Sequence, residues 1–394
     1  MKKVLIIGAG FLQSFVIRKA RELGYEVLAV DADKNAVGFK YAHKHAVINI
    51  VDEKACLEYA RKENIDGVLT AATDYGVLTA SFIAEQLGLN GIDYSVAKII
   101  KNKYQVRKKL TLSGADDTGE VFQVSSVEEA EKIKNEIDYP VMVKPCDGSG
   151  SRGASKVEKA EDLTVACELA ISNSLSRLST VEPFIVGNEY GVESFVKDGE
   201  IYVLGVMKKT MTKPPFYAEL GHALPNGLDK AVEEKIRNCA EKAIKTLGID
   251  FGSVNMDLLL TENGEVHIVD IGARMGGNLI GSHIIPIGTG IDYMGNMIKA
   301  FVNDDYDFSP VNKCKDVSTR LLALSAGVVE KLPDFASLEN ENVIIEHRLN
   351  VGDEIMPYRT NLDGCGYVVC TGEGCEEKAE SIKEYIDKNI VRKQ

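Results

Sequence analysis

The sequence predicts a protein of two parts, in which a doubly wound α/β region is followed by a larger mixed α+β region. In the first part, apolar runs alternate with helical patterns, as in a parallel sheet covered by helices; the runs lie at residues 4–7, 26–30, 47–50 and 67–69. In the second part, two dipeptides that favour type I′ hairpin turns, Asp198-Gly199 and Asn263-Gly264, predict antiparallel strands. A length of 394 residues agrees with two or three packed domains.

The second region opens with a basic helical segment at residues 98–112. Strand patterns follow at residues 121–123, 141–144, 181–185 and 191–196, and helical patterns at 126–136, 159–176 and 228–247. The last part has strand patterns at 343–348 and 366–371 and ends in a charged helix. We therefore predict three domains, at residues 1–97, 98–308 and 309–394.

The composition limits the class of protein. The net charge of −13 argues against nucleic acid or an anionic membrane as the main partner. Apolar runs stay well short of the roughly 18 residues that a membrane span needs. Eight cysteines without a Cys-x-x-Cys pair are typical of reduced thiols in a cytoplasmic protein.

A glycine-rich turn follows the first predicted strand. Gly8-Ala9-Gly10 precedes a helix, and Asp31 ends the second strand, which nearly reproduces the dinucleotide-binding fingerprint. Gln13 stands where the third glycine is expected. An NAD-dependent oxidoreductase is therefore an alternative, but a tight turn in a doubly wound domain is the favoured interpretation.

A second glycine-rich segment lies at residues 147–153. It follows a strand that ends at Lys144, and its small residues are Gly148, Ser149, Gly150, Ser151 and Gly153. Free backbone N–H groups in such a loop bind phosphate oxygens, and a neighbouring lysine adds a point charge. It is not a Walker A loop, because the lysine precedes the glycines. The alternative is an ordinary mobile surface loop.

Counting outward from Asn263-Gly264 as a two-residue turn places Asp257 directly opposite Asp270. Opposed Cβ atoms lie about 4.5–5.5 Å apart, where like charges are destabilising. A hard cation such as magnesium removes that cost and carries substrate phosphates. The alternatives are one protonated acid, or a register that differs by one residue.

These motifs together resemble the ATP-grasp superfamily over about residues 1–300 and, more weakly, the C-terminal segment. The resemblance implies a Rossmann-like N-terminal domain, an ATP-grasp domain of two α+β subdomains and a small C-terminal subdomain, with ATP and Mg²⁺ as cofactors. It assigns nucleotide contacts to two lysines, the glycine-rich loop, the adenine hinge and a ribose-binding acid, namely Lys103, Lys144, Gly148, Ser149, Gly150, Ser151, Glu182, Phe184, Ile185 and Glu189.

The metal motif departs from the family pattern. Asp257 and Asp270 match the two acids, but Gly272 stands where an asparagine ligand is usual, which puts a second magnesium in question. An asparagine at position 272 is therefore expected to tighten metal binding. Arg274 matches the catalytic arginine that the family uses to stabilise charge on the acyl phosphate, and Lys144 is the second catalytic candidate.

Arg274-Met275-Gly276-Gly277-Asn278 and the segment around His222 look most like L-amino-acid ligases. The resemblance implies a carboxylate–amine ligase that acts on small molecules as a homodimer, with no nucleic acid or membrane partner, and His222 is a candidate substrate contact. Alternatives within the fold are a purine-pathway phosphoribosylamine–glycine ligase, a carboxylase and a carbamoyl-phosphate synthase. A nucleotide-binding protein without turnover is an alternative of another class.

Overall fold

The computed structural model describes residues 1–148, 150, 152–214 and 216–393. The strands are β1 (Lys3–Ile7), β2 (Glu26–Asp31), β3 (Lys44–Val47), β4 (Gly67–Thr70), β5 (Phe122–Val124), β6 (Val141–Pro145), β7 (Ser155–Val157), β8 (Ser179–Pro183), β9 (Asn188–Lys197), β10 (Glu200–Met211), β11 (Glu219–Leu224), β12 (Phe251–Leu260), β13 (Val266–Gly272), β14 (Val317–Leu321), β15 (Gly327–Lys331), β16 (Val343–His347), β17 (Glu354–Ile355), β18 (Gly366–Thr371) and β19 (Val391–Lys393).

The helices are α1 (Gln13–Glu22), α2 (Glu53–Glu63), α3 (Val77–Leu87), α4 (Tyr94–Ile100), α5 (Lys103–Leu112), α6 (Val127–Ile133), α7 (Leu163–Ser172), α8 (Lys230–Leu247), α9 (Ile285–Thr289), α10 (Tyr293–Phe301) and α11 (Cys375–Asn389). The chain divides into two compact units. The first comprises Met1–Gly119, Val192–Val206 and Asp229–Lys313, and the second comprises Glu120–Gly191, Met207–Leu228 and Cys314–Gln394. The three-domain division made from the sequence stays a prediction.

The first unit begins with the predicted parallel sheet, in the order β3-β2-β1-β4. Strands β1, β2 and β4 are apolar on both faces, as expected when helices cover a parallel sheet, whereas β3 is mostly exposed. Strand β3 occupies residues 44–47 and not the predicted 47–50. Because β2 and β4 lie on opposite sides of β1, the loops after β1 and β4 diverge at the carboxyl edge of the sheet, which is where this architecture places ligands.

The basic segment predicted as one helix is two helices, α4 and α5. Asn102 separates them in an extended conformation, and its side chain accepts a hydrogen bond from the Gln105 N–H as the N-cap of α5. Lys103 is thus the first residue of α5. The helix is fixed by Arg107, which pairs with Asp116 at 2.7 Å, while Asp116 also accepts from the Ile268 N–H of β13 at 2.8 Å. Both charged groups of this pair are buried.

The first unit also contains strands β12 and β13, which neighbour β9 in the order β13-β12-β9-β10. The turn between β9 and β10 has positive φ at both Asp198 and Gly199, which confirms the predicted type I′ geometry. Helix α8 follows the predicted segment closely, ends at Leu247 and is capped by Gly248, which has a φ of 78° in the left-handed region.

The second unit contains an antiparallel sheet in the order β5-β8-β6-β7, covered by α6 and α7. Strands in the order β10-β11-β14-β18-β16 continue the eight-stranded sheet that includes β13, β12 and β9, and a small sheet runs β17-β15-β19. The apolar faces of β18, β16 and α11 form the C-terminal core. The α/β and α+β fold class predicted from the sequence is confirmed. Within the described part of the chain, no helix has the length and apolar character needed to cross a membrane.

Candidate active site

The hairpin of β12 and β13 pairs Asp257 with Asp270, as predicted, although by a different path. The Thr261 N–H donates to the Glu265 carbonyl at 2.9 Å, so the loop has three residues and not two. Leu258 therefore pairs with Ile268, and the extra residue Val269 forms a bulge. Beyond this bulge the register is again the predicted one, so Asp257 pairs with Asp270.

Lys103 relieves the repulsion between these carboxylates, a role for which the sequence had suggested a metal ion. Its ammonium group forms an ion pair with the Asp270 carboxylate, which also accepts from the Ile271 N–H at 3.0 Å. Among the described residues, no group of three or more His, Cys, Asp or Glu side chains could hold a metal. Two carboxylates on facing strands still offer the oxygen donors that magnesium prefers, so these residues fit the ion.

Arg274, four residues after Asp270, is held from two sides. Its Nε donates to Asp74 Oδ1 at 2.9 Å and its Nη2 to Asp74 Oδ2 at 3.3 Å, while its Nη1 donates to Asn255 Oδ1 at 3.1 Å. Burial by itself raises the pKa of the Asp74 carboxyl, but the adjacent guanidinium outweighs this effect and holds that pKa below its ordinary value. Arg274 is therefore a fixed, charged donor.

Gly272 leaves room for this ion pair. A Cβ atom at position 272 would lie 3.0 Å from Arg274 Cζ and 3.0 Å from Asp74 Oδ1. The φ of Gly272 is not in the left-handed region, so space and not backbone conformation explains the glycine. An asparagine here would displace Arg274, which argues against the expectation that it tightens metal binding.

The second unit brings together two predicted nucleotide contacts. Lys144 on β6 and Glu182 on β8 form an ion pair of 2.5 Å, with both side chains largely buried. At the start of the glycine-rich loop, the buried Asp147 accepts hydrogen bonds from Ser174, Leu175 and Ser176, which anchors that end.

Within this loop, Gly150 and Gly153 have φ of 67° and 69°, a conformation that favours glycine. A Cβ at Gly148 would lie 3.0 Å from Pro145 Cβ. Ser149 and Ser151 lie outside the described residues.

The predicted adenine hinge follows β8. The Phe184 N–H donates to the Pro140 carbonyl at 3.1 Å, so this N–H is used inside the protein and not for a base edge. The hinge prediction is thereby limited to the Phe184 carbonyl and to Ile185. Lys156 Nζ lies over the Phe184 ring, 4.5 Å from its centroid, and the centroids of the Phe184 and Tyr217 rings are 5.8 Å apart.

Glu189, the predicted ribose-binding acid, belongs to a buried charged cluster. Lys209 Nζ lies 3.1 Å from Glu189 and 3.4 Å from Glu219, and its side chain is only 2% exposed. His222 Nδ1 lies 3.1 Å from Glu219 Oε1, on strand β11 and not in the loop expected from the sequence. Because His222 is buried in this cluster, the structure favours a packing role for it over substrate contact.

The N-terminal glycine turn argues against a dinucleotide site. Asp31 Oδ2 accepts from the Ala9 N–H at 2.7 Å, and Oδ1 accepts from the Asp33 N–H at 2.9 Å. In a dinucleotide site Asp31 would bind a ribose, but here both of its oxygens bind the backbone of neighbouring loops. The Gln13 side chain is buried and donates to the Ala71 carbonyl at 2.6 Å.

Sequence reasoning missed three polar residues around Arg274. Asp74 follows β4 at the carboxyl edge of the parallel sheet, a position that itself predicts function. Glu193 lies inside the strand pattern predicted at residues 191–196 and is fully buried, and a fully buried acid is rare enough to mark it. Asn255 lies two residues before Asp257, on the same face of β12.

Comparison with known proteins matches part of the chain to a family model. Residues 137–282 match the model of an ATP-grasp domain. Formate-dependent phosphoribosylglycinamide formyltransferase of Prochlorococcus marinus is 24% identical over 278 residues, which cover 66% of this chain and 69% of that protein.

Two solved structures share the fold. That of L-amino acid ligase from Bacillus licheniformis has a TM-score of 0.85 at 22% identity, covering 100% of this chain and 99% of that one. That of phosphoribosylglycinamide synthetase from Anaerococcus prevotii has a TM-score of 0.77 at 22% identity, covering 100% of both chains. The prediction of an ATP-grasp domain is confirmed by the family model over residues 137–282, and both solved structures share the fold of this chain.

Proposed function

We propose that the protein is an ATP-dependent carboxylate–amine ligase acting on an amino acid or a similar small metabolite. The γ-phosphoryl group of ATP is transferred to a substrate carboxylate oxygen, which gives an acyl phosphate and ADP. An amine then attacks the carbonyl carbon, phosphate leaves and the amine loses a proton, so that an amide bond remains.

The observation that carries this proposal is the arrangement of charges in the first unit. Arg274 is fixed by Asp74 and Asn255 and presents a permanent positive charge, as required for stabilising a transferring phosphoryl group or a tetrahedral intermediate. Asp257 and Asp270 would hold Mg²⁺, which when bound supplies neutralisation of phosphate charge. Lys103 is then released from Asp270 to contact phosphate oxygens.

In the second unit, the Lys144–Glu182 pair and the glycine-rich loop support the nucleotide contacts. We assign Lys144 to a phosphate group, because its ammonium lies at the end of β6 beside a loop whose conformation depends on glycine. Glu182 is assigned to the adenine amino group, Ile185 to the base edge and Glu189 to the ribose. Catalysis then depends mainly on positioning and on charge neutralisation.

A purine-pathway substrate is the second candidate, favoured by the names of two relatives that refer to phosphoribosylglycinamide. The glycine-rich loop after β1 gives no support to a purine-pathway substrate. Gln13 is committed to the Ala71 carbonyl, and the Phe11 ring packs against the Phe15 ring at a centroid distance of 5.6 Å.

The test is a phosphate-release screen with ATP, magnesium and candidate substrates. We expect release that depends on a pair of L-amino acids, whereas release that depends on formate and phosphoribosylglycinamide would favour the second candidate. Asp257→Asn should abolish release, and magnesium-ATP should raise its melting temperature less than that of the wild type. Nucleotide binding without release on any substrate would instead indicate a binding protein without turnover.

Cytoplasmic location, a homodimer, and the lack of nucleic acid or membrane partners stay predictions. The NAD-dependent alternative predicts thermal protection by the nicotinamide dinucleotide, while the ligase predicts protection by magnesium-ATP. A thermal-shift comparison of the two ligands separates them.

A further inference from the structure

Glu193 lies at the centre of a buried hydrogen-bond network in the first unit. It is 0% exposed, and three different elements supply donors to its carboxylate. The Tyr293 hydroxyl donates to Oε1 at 2.5 Å, the Gly276 N–H donates to Oε1 at 3.0 Å, and Asn255 Nδ2 donates to Oε2 at 3.0 Å. The groups around Glu193 are thus arranged for an ionised carboxylate.

This network fixes the side-chain amide of Asn255. Because the Asn255 NH₂ group points to Glu193, its oxygen points to Arg274 and accepts from Nη1 at 3.1 Å. Had the amide been reversed, an NH₂ group would face the guanidinium, and donor would meet donor. The Glu193 carboxylate therefore determines which end of Asn255 faces Arg274.

Gly276 shows how closely the network is packed. A Cβ at this position would lie 2.9 Å from Glu193 Oε2, 2.9 Å from Asn255 Nδ2 and 2.8 Å from Ile280 Cδ1. Distances of this kind are too short for a carbon atom, so the network requires glycine here.

We propose that Glu193 is a positioning residue for Arg274, which it orients through Asn255. The proposal rests on the proposed function, in which Arg274 contacts the reacting groups. Asp74 binds Nε and Nη2 of the same planar guanidinium, and Asn255 adds a third contact at Nη1 that keeps the group from pivoting on Asp74.

The network links this orientation to pH. Burial raises the pKa of Glu193 to about 7, although the hydrogen bonds from Tyr293, Gly276 and Asn255 and the charge of Arg274 act in the opposite direction. The ionised form, which orients Asn255, is therefore present above about pH 7 and is lost as the pH falls. A protonated Glu193 no longer offers Asn255 an ionised acceptor, and its O–H can donate to Asn255 only if the amide reverses.

The first test replaces the network residues singly and together. Glu193→Gln keeps the shape but turns one oxygen into a donor, so we expect kcat to fall about 10²-fold with the KM for ATP unchanged. Asn255→Ala should have a similar effect, and the double variant should be no slower than Asn255→Ala. Multiplicative losses in the double variant would overturn the proposal.

Crystal structures of the wild type and Glu193→Gln separate this inference from the proposed function. We expect Arg274 Nη1 to lose its contact with Asn255 Oδ1 in the variant, whatever the substrate is. A retained contact contradicts the positioning role even if the enzyme is a ligase. A phosphate-release screen that finds no substrate contradicts the proposed function. The crystal structures would then still test whether Glu193 positions Arg274.

Tyr293→Phe provides a second test that keeps the carboxylate, in case Glu193→Gln does not fold. Loss of the Tyr293 hydrogen bond should raise the pKa of Glu193, so the acidic limb of the kcat profile should move to higher pH. The control is Tyr202→Phe, whose ring packs on Phe308 at 5.2 Å and which should leave the profile in place. Equal profiles for all three proteins would overturn the proposal.

Discussion

Arg274 in the first unit and Lys209 in the second are both cations beside carboxylates, with side chains 15% and 2% exposed, but their surroundings differ. Arg274 uses three nitrogens in fixed directions, two toward Asp74 and one toward Asn255. Lys209 is a point charge between Glu189 and Glu219, at 3.1 and 3.4 Å. A planar guanidinium provides orientation, whereas an ammonium group provides charge compensation. From this difference we expect Arg274 to contribute mainly to chemistry and Lys209 mainly to stability.

The largest effect is expected at Lys209. In Lys209→Met, two buried carboxylates lose their shared cation, so the free energy of unfolding should fall by about 3–5 kcal/mol. The neighbouring Lys208 is a matched control, because its side chain is 47% exposed and pairs with Glu376 at 3.1 Å. Lys208→Met should cost at most about 1 kcal/mol. Urea denaturation measures both, and equal losses would remove the distinction between the two lysines.

The next largest effect is expected at Arg274, where the direction of the guanidinium nitrogens and not only their charge is tested. Arg274→Lys keeps a positive charge but loses the paired contact with Asp74, so phosphate release should fall about 10²–10³-fold while the protein stays folded. The control is Arg237→Lys on α8, where Nε and Nη2 both contact Glu233 at 2.9 and 2.7 Å. This variant should keep its activity. Full activity in Arg274→Lys would show that charge alone suffices.

Lys144 sharpens the comparison, because it is a lysine of the second unit that we assign to phosphate. Its side chain is 14% exposed against 2% for Lys209, so Lys144→Ala should stay folded. Loss of a charge-assisted contact should weaken ATP binding by about 1.5–3 kcal/mol. Calorimetric titration measures this, with Lys134→Ala on the surface as the control. Unchanged affinity in a folded Lys144→Ala would mean that the phosphate site lies elsewhere.

Local patterns in the sequence predicted much of the fold and several site residues. Short apolar runs located β1 and β6, and Asp198-Gly199 gave the correct turn because both residues tolerate positive φ. The turn predicted at Asn263-Gly264 was wrong, because the loop there has three residues and not the two that were predicted. The pairing of Asp257 with Asp270 was nevertheless right, because the bulge at Val269 cancels the longer loop. A count of residues cannot detect two compensating irregularities.

Contacts between distant segments were not predictable from those patterns. Asp74 and Arg274 are 200 residues apart, and Glu193 and Tyr293 are 100 apart. Such pairs depend on how sheets and loops pack, which periodicity does not encode. For the same reason the sequence did not predict that Lys103 pairs with Asp270.

The smallest expected effect tests the space around Arg274. Gly272→Ala adds a Cβ at 3.0 Å from both Arg274 Cζ and Asp74 Oδ1, so the ion pair must shift by a few tenths of an ångström. We expect a loss of about 1 kcal/mol in the free energy of unfolding and a smaller loss of phosphate release than in Arg274→Lys. Gly277→Ala is the matched control, because its Cβ would lie 3.5 Å from Leu12 Cδ1 and 3.8 Å from Ala72 Cβ, which are ordinary contacts. If both variants behave like the wild type, the glycine at position 272 is not needed to orient Arg274. The fixed direction of Arg274 would then no longer distinguish it from Lys209.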